Sequence, residues 1–262
     1  MQNYNNYSYK IPASPLFPQR ELIYMPECHS TNAYLEQMVR EREVAEGSVV
    51  IAGYQYAGKG QRGNLWLTEP GQNLTFSVLL KPFWLQASQQ MYLTRVFALG
   101  ITDWLKTLMA AEVHIKWPND VLLNRRKVCG ILIENQLHRE HIAMTIGGIG
   151  VNINQAYFPF ASATSLFKET GREYNLDQCF YDLMVCLDRR YAMLQRGMLG
   201  DLHNDYLAQL FGLGMEINFS TGNSSFPGTV LGVDDYGRLE VRTPWGIRLY
   251  GFKETTIQWP LK

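Results

Sequence analysis

Four short apolar segments, separated by turn residues, follow one another in the middle of the chain and restrict the folds open to it. They cover residues 113–117, 121–123, 131–135 and 142–152. The breaks at 118–120, 124–126 and 138–140 carry proline, asparagine, aspartate or adjacent charges, which favour turns. Because such short connections join antiparallel neighbours, the sequence predicts a mostly antiparallel sheet.

Helical periodicity flanks this sheet on both sides. Apolar residues recur every three or four positions in four stretches. The first begins at Ser30, and the other three cover 89–109, 177–194 and 202–210. Ser30 or Thr31 is a suitable N-cap for the first of them. Strands interspersed with helices that bury one face predict an α+β domain.

Composition shifts divide the chain into three parts. Residues 1–21 contain Pro12, Pro15 and Pro18 among polar residues, so we expect a loosely ordered leader. Residues 22–212 form the main domain. From 213 to 262 short strands alternate with glycine-containing turns, a pattern typical of a small β-barrel. The strands predicted there are 216–220, 228–233, 238–242 and 248–252.

Charge and cysteine content exclude several classes of protein. The 262 residues include 24 basic and 24 acidic side chains, so no net field favours nucleic acid or an anionic membrane surface. The four cysteines show no C-x-x-C pair, which fits a reducing cytoplasm. With no apolar stretch of membrane-spanning length and no signal-like leader, neither secretion nor a membrane span is expected.

A glycine-rich segment joins two further predicted strands, 48–52 and 74–80. Residues 53–59 match G-x-x-x-x-G-K. The next position, where a P-loop needs serine or threonine, is Gly60, and no helix is predicted to follow. Glycines together with Lys59 and Arg62 can still wrap backbone N–H groups and positive charge around an anion. The alternative is a flexible surface turn with solvated charges.

Two other segments carry candidate binding groups. Lys116 ends an apolar strand just before a proline, where a buried ammonium needs an anionic partner. That partner is either a ligand or simply Asp120. The glycines of 147–150 permit close backbone approach, and Asn152 beyond them can hydrogen-bond a ligand. The H-x-x-H at 138–141 lies on a polar turn without a third ligand, so no metal site is predicted.

Together these segments resemble the biotin-protein ligases, and the resemblance covers residues 22–262. The matching motifs are S-T-N at 30–32, G-R-G-R-R-G-x-x-W at 58–66, P-x-G-x-N-L-x-x-S at 70–77 with one residue fewer before the glycine, K-W-P-N-D at 116–120, K-x-x-G-I-L-x-E at 127–134 and G-I-G-I-N at 148–152 with Val151 in the fourth position. Two arginines of the second motif are replaced, by Lys59 and Gln61. The resemblance implies a class II synthetase-like catalytic domain followed by a Src-homology-3-like barrel.

The resemblance also implies roles for individual residues. The residues expected to supply positive charge for catalysis are Lys116, Lys59 and Arg62. Biotin contacts are expected from Ser30, Thr31, Asn32, Gln55, Gly58, Lys59, Gly60, Gln61, Lys116 and Gly130. Nucleotide contacts are expected from Arg62, Gly63, Trp66, Asn119 and Asn152. Lys116 is expected to touch both the biotin carboxylate and the ATP phosphate.

The implied reaction converts biotin and ATP, with Mg²⁺, to biotinyl-5′-AMP and then biotinylates one lysine of a biotin carboxyl carrier domain. We expect a ligase with no protein metal site beyond the magnesium of ATP, and a homodimer is possible. A lipoate ligase is the nearest rival, but its R-R-x-S-G-G-G motif is absent. A biotin-responsive repressor is disfavoured, because 29 residues before Ser30 are few for a helix-turn-helix domain, so no DNA binding is expected. A biotin-storing module is opposed by Lys116 and the anion-type loop.

Overall fold

The computed structural model describes residues 8–221, 224–252 and 254–258, and it does not describe the side chain of Arg62. Its larger sheet consists of β1 (Leu22–Met25), β2 (Val49–Ala52), β3 (Leu74–Leu80), β4 (Val113–Lys116), β5 (Asp120–Leu123), β6 (Arg126–His138) and β7 (His141–Val151). In space the order is β1-β2-β3-β7-β6-β5-β4, and each neighbouring pair except β1 with β2 is antiparallel. The predicted mostly antiparallel sheet is confirmed.

Helices cover this sheet and complete the α+β arrangement. They are α1 (Thr31–Glu41), α2 (Met91–Leu108), α3 (Leu166–Thr170), α4 (Leu176–Gln195) and α5 (Leu199–Gln209). The α2 helix is buried over most of its length, and Gly100 lets it approach α4 closely, since a Cβ there would lie 2.7 Å from Leu187 Cδ2. In the part of the chain that the structure describes, no helix is long and apolar enough to cross a membrane.

The core explains which strands are continuously apolar in sequence. Every residue of β2 and β3 is buried, because these strands lie inside the sheet with packed elements on both faces. The glycines of β7 alternate between the faces as strand geometry requires. A Cβ on Gly147 would overlap Phe97 of α2, whereas one on Gly148 would overlap Asn32 at the start of α1.

The leader predicted to be loosely ordered has no helix or strand in its described part, but it is held at two points. Phe17 is buried and stacks on Tyr191 of α4, with ring centroids 5.5 Å apart. Arg20 forms a two-pronged ion pair with Asp188 of the same helix, both at 2.9 Å. Residues 1–7 lie outside the described part of the chain.

The C-terminal segment forms a second sheet. It contains β8 (Glu216–Thr221), β9 (Ser224–Val233), β10 (Leu239–Thr243), β11 (Gly246–Tyr250) and β12 (Thr256–Ile257), all antiparallel in the order β11-β10-β9-β8-β12. Its own core includes Phe219, Val230 and Val241. The segment predicted as a small barrel is thus a five-stranded antiparallel sheet in the described residues, while a domain boundary near 212 stays a prediction.

Candidate active site

Two adjoining cavities open beside the larger sheet, between the start of α1, the 53–66 loop and strands β6 and β7. The first cavity is lined by ten of the residues predicted from sequence, namely Ser30, Thr31, Asn32, Gln55, Lys59, Gly60, Gln61, Trp66, Asn119 and Gly130. Backbone and side chains of Thr75, Ile131, Leu132 and Gly148–Gly150 complete its wall. Residues from all six sequence motifs therefore converge on one cavity.

A network of buried amides and hydroxyls forms the polar end of the first cavity. The backbone N–H of Thr31 donates to Gln55 Oε1 at 2.6 Å. Ser77 Oγ lies 2.7 Å from Thr31 Oγ1 and 2.5 Å from Asn32 Oδ1, and Asn32 Nδ2 donates to Glu134 Oε2 at 2.6 Å. These bonds fix the orientation of groups that would otherwise rotate, which suits a ligand carrying both N–H donors and a carbonyl. Ser77 and Glu134 are members of this network that the sequence analysis left unassigned.

The 53–66 loop folds back on itself beside the cavity. The backbone N–H of Trp66 donates to Gly58 O at 2.9 Å, and the backbone N–H of Gly60 donates to Asn64 O at 2.7 Å. Between them the chain makes one 3₁₀ turn at Gln61–Gly63, and Gly63 has φ +79°, a left-handed conformation that favours glycine. No longer helix follows the glycines, so the loop differs from a P-loop as the sequence predicts.

The indole of Trp66 lies on the floor of the site and needs two glycines beneath it. A Cβ on Gly150 would overlap the indole, and one on Gly130 would lie 3.1 Å from its Cζ3 atom. The indole Nε1 is buried without a hydrogen-bond partner among the described residues. The ring therefore anchors the end of the loop to strands β6 and β7 and keeps a donor inside the site.

The second cavity adjoins the first and is lined by Lys116, Trp117, Asn119 and Asp120 together with Gly60, Gln61 and Trp66. Lys116 pairs with Asp120 across the β4–β5 hairpin. Burial, and to a smaller extent the charge of Lys127, lower the pKa of Lys116, while Asp120 opposes the shift. Lys116 lines this cavity but not the first, and its predicted contact with both the biotin carboxylate and the ATP phosphate stays a prediction.

Lys127 lies where the two cavities meet, since it lines both of them. Its Nζ lies 2.7 Å from Asp120 Oδ1 and 5.6 Å from the centroid of the Trp66 ring. In the sequence Lys127 appears only as the first residue of the K-x-x-G-I-L-x-E motif, and that motif was the available signal. With Lys116, Lys127 and one carboxylate, the second cavity has an excess of positive charge suited to phosphate.

Among the predicted residues, Gly58, Gly63 and Asn152 line neither cavity, and the side chain of Arg62 lies outside the described part of the chain. Gly58 lets the loop close, because a Cβ there would lie 2.8 Å from Gln55 Nε2. Gly63 forms the turn described above. Asn152 is buried at the end of β7, where its Nδ2 donates to Thr164 O at 2.9 Å. Within the described ranges, no group of three or more His, Cys, Asp or Glu side chains is placed to hold a metal ion.

Comparison with known proteins assigns the arrangement to a family. Residues 24–154, which include all the predicted site residues, match the biotin/lipoate A/B protein ligase family. The chain belongs to this family. The biotin--[acetyl-CoA-carboxylase] ligase of Paracoccus denitrificans is 35% identical over 230 residues, covering 83% of this chain and 92% of that protein. The resemblance inferred from the sequence motifs is thereby confirmed.

Other members of the biotin/lipoate A/B protein ligase family extend the similarity. The bifunctional ligase/repressor BirA of Bacillus subtilis is 29% identical over 235 residues, which cover 87% of this chain and 71% of that protein. A biotin protein ligase from Aquifex aeolicus, solved in complex with biotin and ATP, superposes with a TM-score of 0.77 at 26% identity, covering 92% of this chain and 99% of its own. The similarity to that structure includes both sheets.

Proposed function

We propose that this chain is a biotin protein ligase that activates biotin with ATP and transfers it to a lysine of a biotin carboxyl carrier domain. One observation carries the proposal: a cavity with a fixed polar network adjoins a cavity rich in positive charge, and Lys127 lies between them. Such a pair of cavities suits two substrates that must react end to end. The relatives named above support biotin and ATP as those substrates.

In the first step the network of Thr31, Asn32 and Gln55 would hold the ureido ring, so that the biotin carboxylate points towards Lys127. A carboxylate oxygen attacks the α-phosphorus of ATP, a P–O bond forms, and the bond to pyrophosphate breaks. Magnesium enters as part of the MgATP substrate. Lys127, Lys116 and Lys59 stabilise charge on the phosphoryl oxygens, and such preorganised charge lowers a barrier more effectively than solvent does.

In the second step the carrier lysine attacks the activated carbonyl as a neutral amine. A C–N bond forms, AMP leaves with the bonding electron pair, and the amine loses a proton. Water would compete for the same carbonyl, so the reaction needs a cover over the mixed anhydride. The loop around Lys59 and Gln61, anchored by Trp66, lies where such a cover is required.

Biotin-dependent exchange of labelled pyrophosphate into ATP tests the adenylation step without a carrier protein. The full chain should catalyse exchange when biotin is present and show none when biotin is omitted. A matched reaction with lipoate in place of biotin should give little exchange. Exchange with lipoate but not biotin would reassign the chain within its family, and exchange with neither would overturn the proposed chemistry.

A further inference from the structure

A four-residue turn of the C-terminal sheet, 234–237 between β9 and β10, is held by side chains of the catalytic domain. Arg95 Nη2 donates to Asp234 O at 2.8 Å, and Tyr92 Oη donates to Asp235 Oδ1 at 3.2 Å. Trp117 Nε1 donates to Gly237 O at 2.9 Å. Three bonds from α2 and from the β4–β5 hairpin therefore converge on one turn.

The turn is itself rigid, so that holding it fixes the sheet to which it belongs. Asp234 Oδ1 accepts from the backbone N–H groups of Tyr236 at 3.0 Å and Arg238 at 2.8 Å. Gly237 has φ +84°, and a Cβ there would lie 2.8 Å from Met91 Cγ at the start of α2. The close contact and the backbone conformation both require glycine at this point.

Arg95 shows that these contacts are not optimised for stability. Its side chain is fully buried, its guanidinium lies 4.4 Å from the centroid of the Tyr92 ring, and Nε and Nη1 have no hydrogen-bond partner among the described residues. A buried cation with unsatisfied donors costs free energy of folding. The arrangement is therefore better explained by the position that it gives the turn.

Trp117 connects that position to the site, because it follows Lys116 directly in the hairpin. Its ring packs against Phe252 at a centroid distance of 5.5 Å. A few residues further on, Thr255, Thr256 and Ile257 of the C-terminal segment form part of the wall of the second cavity, which Lys116 also lines. Trp117 thus directly follows the strand that carries the lysine, and its ring packs against Phe252, which precedes the C-terminal residues of the cavity wall.

We propose that Trp117 is a positioning residue, whose indole N–H holds the C-terminal sheet so that Thr255–Ile257 enclose the second cavity opposite Lys116. The inference rests on the proposed function, which places ATP in that cavity. Losing the bond lets the wall move away from the nucleotide and leaves the first cavity, which has no C-terminal residue in its lining, unchanged. Loss of the Trp117 indole should therefore weaken the binding of ATP and leave the binding of biotin unchanged.

The test compares Trp117→Phe with Trp104→Phe in the full chain. Trp104 is a matched control, since it is fully buried in α2 and its Nε1 has no hydrogen-bond partner among the described residues. Both variants lose an indole, but only the first loses a bond to the C-terminal sheet. Tyr92→Phe, which keeps its ring beside Arg95 and loses the hydroxyl that bonds Asp235, serves as a second probe.

Biotin-dependent pyrophosphate release gives KM for each substrate, and a thermal melt reports folding. Trp117→Phe should raise KM for ATP about three- to tenfold, the scale of one hydrogen bond, with KM for biotin unchanged. Tyr92→Phe should act in the same direction, and this result stands even if Trp117→Phe does not fold. An unchanged KM for ATP in folded Trp117→Phe, equal changes for both substrates, or the same ATP effect in Trp104→Phe would overturn the inference. An inactive wild type would instead overturn the proposed function.

Discussion

The ammonium of Lys127 lies 2.7 Å from the carboxylate of Asp120. Asp120 also faces Lys116 across the β4–β5 hairpin, so one carboxylate serves two lysines. An incoming phosphate or carboxylate would add negative charge beside both lysines, which links substrate binding to the electrostatics of the site.

Substitutions of Lys127 and Lys116 should differ in their effect on biotin binding. Lys127→Ala should slow single-turnover pyrophosphate release about a hundredfold or more and also weaken biotin binding, because Lys127 lines both cavities. Lys116→Ala should slow release on a similar scale but leave biotin binding unchanged, because Lys116 lines only the second cavity.

Rapid-quench kinetics and a biotin titration measure these two effects. Lys106→Ala is the control, since Lys106 is exposed on α2 and its ammonium donates to Gln209 Oε1 at 2.6 Å, away from both cavities. It should behave as wild type in both assays. Near wild-type adenylation by folded Lys127→Ala, or weaker biotin binding in Lys116→Ala than in Lys127→Ala, would reverse the assignment.

The lowered pKa of Lys116 predicts an alkaline limit to adenylation. Burial moves the pKa below its ordinary value, so the ammonium is lost at a lower pH than in a solvated lysine, near 10.4. The rate should fall as pH rises towards the lowered value. Asp120→Asn removes the charge that raises this pKa and should move the alkaline limb to lower pH, whereas Lys116→Arg should move it to higher pH. A pH profile with the same limb in all three proteins would exclude Lys116 as its origin.

Gly150 should be required for the Trp66 anchor. In Gly150→Ala the new methyl group overlaps the indole and displaces it, at a cost of about 1–3 kcal/mol. Tryptic cleavage after Lys59 should accelerate and adenylation should slow. Gly147→Ala is the matched control, because its methyl group overlaps Phe97 on the opposite face of the same strand. It should lower the melting temperature without exposing the loop, and equal loop cleavage in both variants would contradict the anchoring role.

Gln61→Arg should retain the adenylate longer. Gln61 lines both cavities, and a guanidinium there adds charge and a planar pair of donors beside the phosphate. We expect dissociation of biotinyl-5′-AMP to slow about tenfold, as measured by a chase with excess unlabelled ligand. Gln37→Arg adds the same charge on the exposed face of α1 and should have no effect. Identical dissociation from wild type and Gln61→Arg would refute the expectation.

Long elements with clear periodicity were predictable from the sequence, because burial on one face determines their pattern. Strand β3 has the predicted bounds, and α2 differs by a residue or two at its ends. The β1 strand and α3 were not predicted. The four residues of β1 are all half-buried, so they show no alternation of apolar and polar side chains. The five residues of α3 are too few to display a helical period.

The site was predictable where motifs name its residues and not where distant segments meet. Lys127 follows two arginines in a segment whose sequence is typical of a turn. Only the pairing of β6 with β5 brings Lys127 to Asp120. The bond from Trp117 to Gly237 joins positions 120 residues apart, which no local pattern contains. Arg95 appears in sequence as one charge within an apolar helix, and its burial follows from the packing of the C-terminal sheet.

Transfer of biotin to protein is the central claim, and the intact mass of a purified biotin carboxyl carrier domain tests it most directly. Incubation with the full chain, biotin and ATP should add one biotinyl group at the acceptor lysine. The addition should disappear when ATP is omitted or when that lysine is changed to arginine. A carrier domain that keeps its original mass in the complete reaction, while the ligase is folded and catalyses biotin-dependent pyrophosphate exchange, would contradict the account.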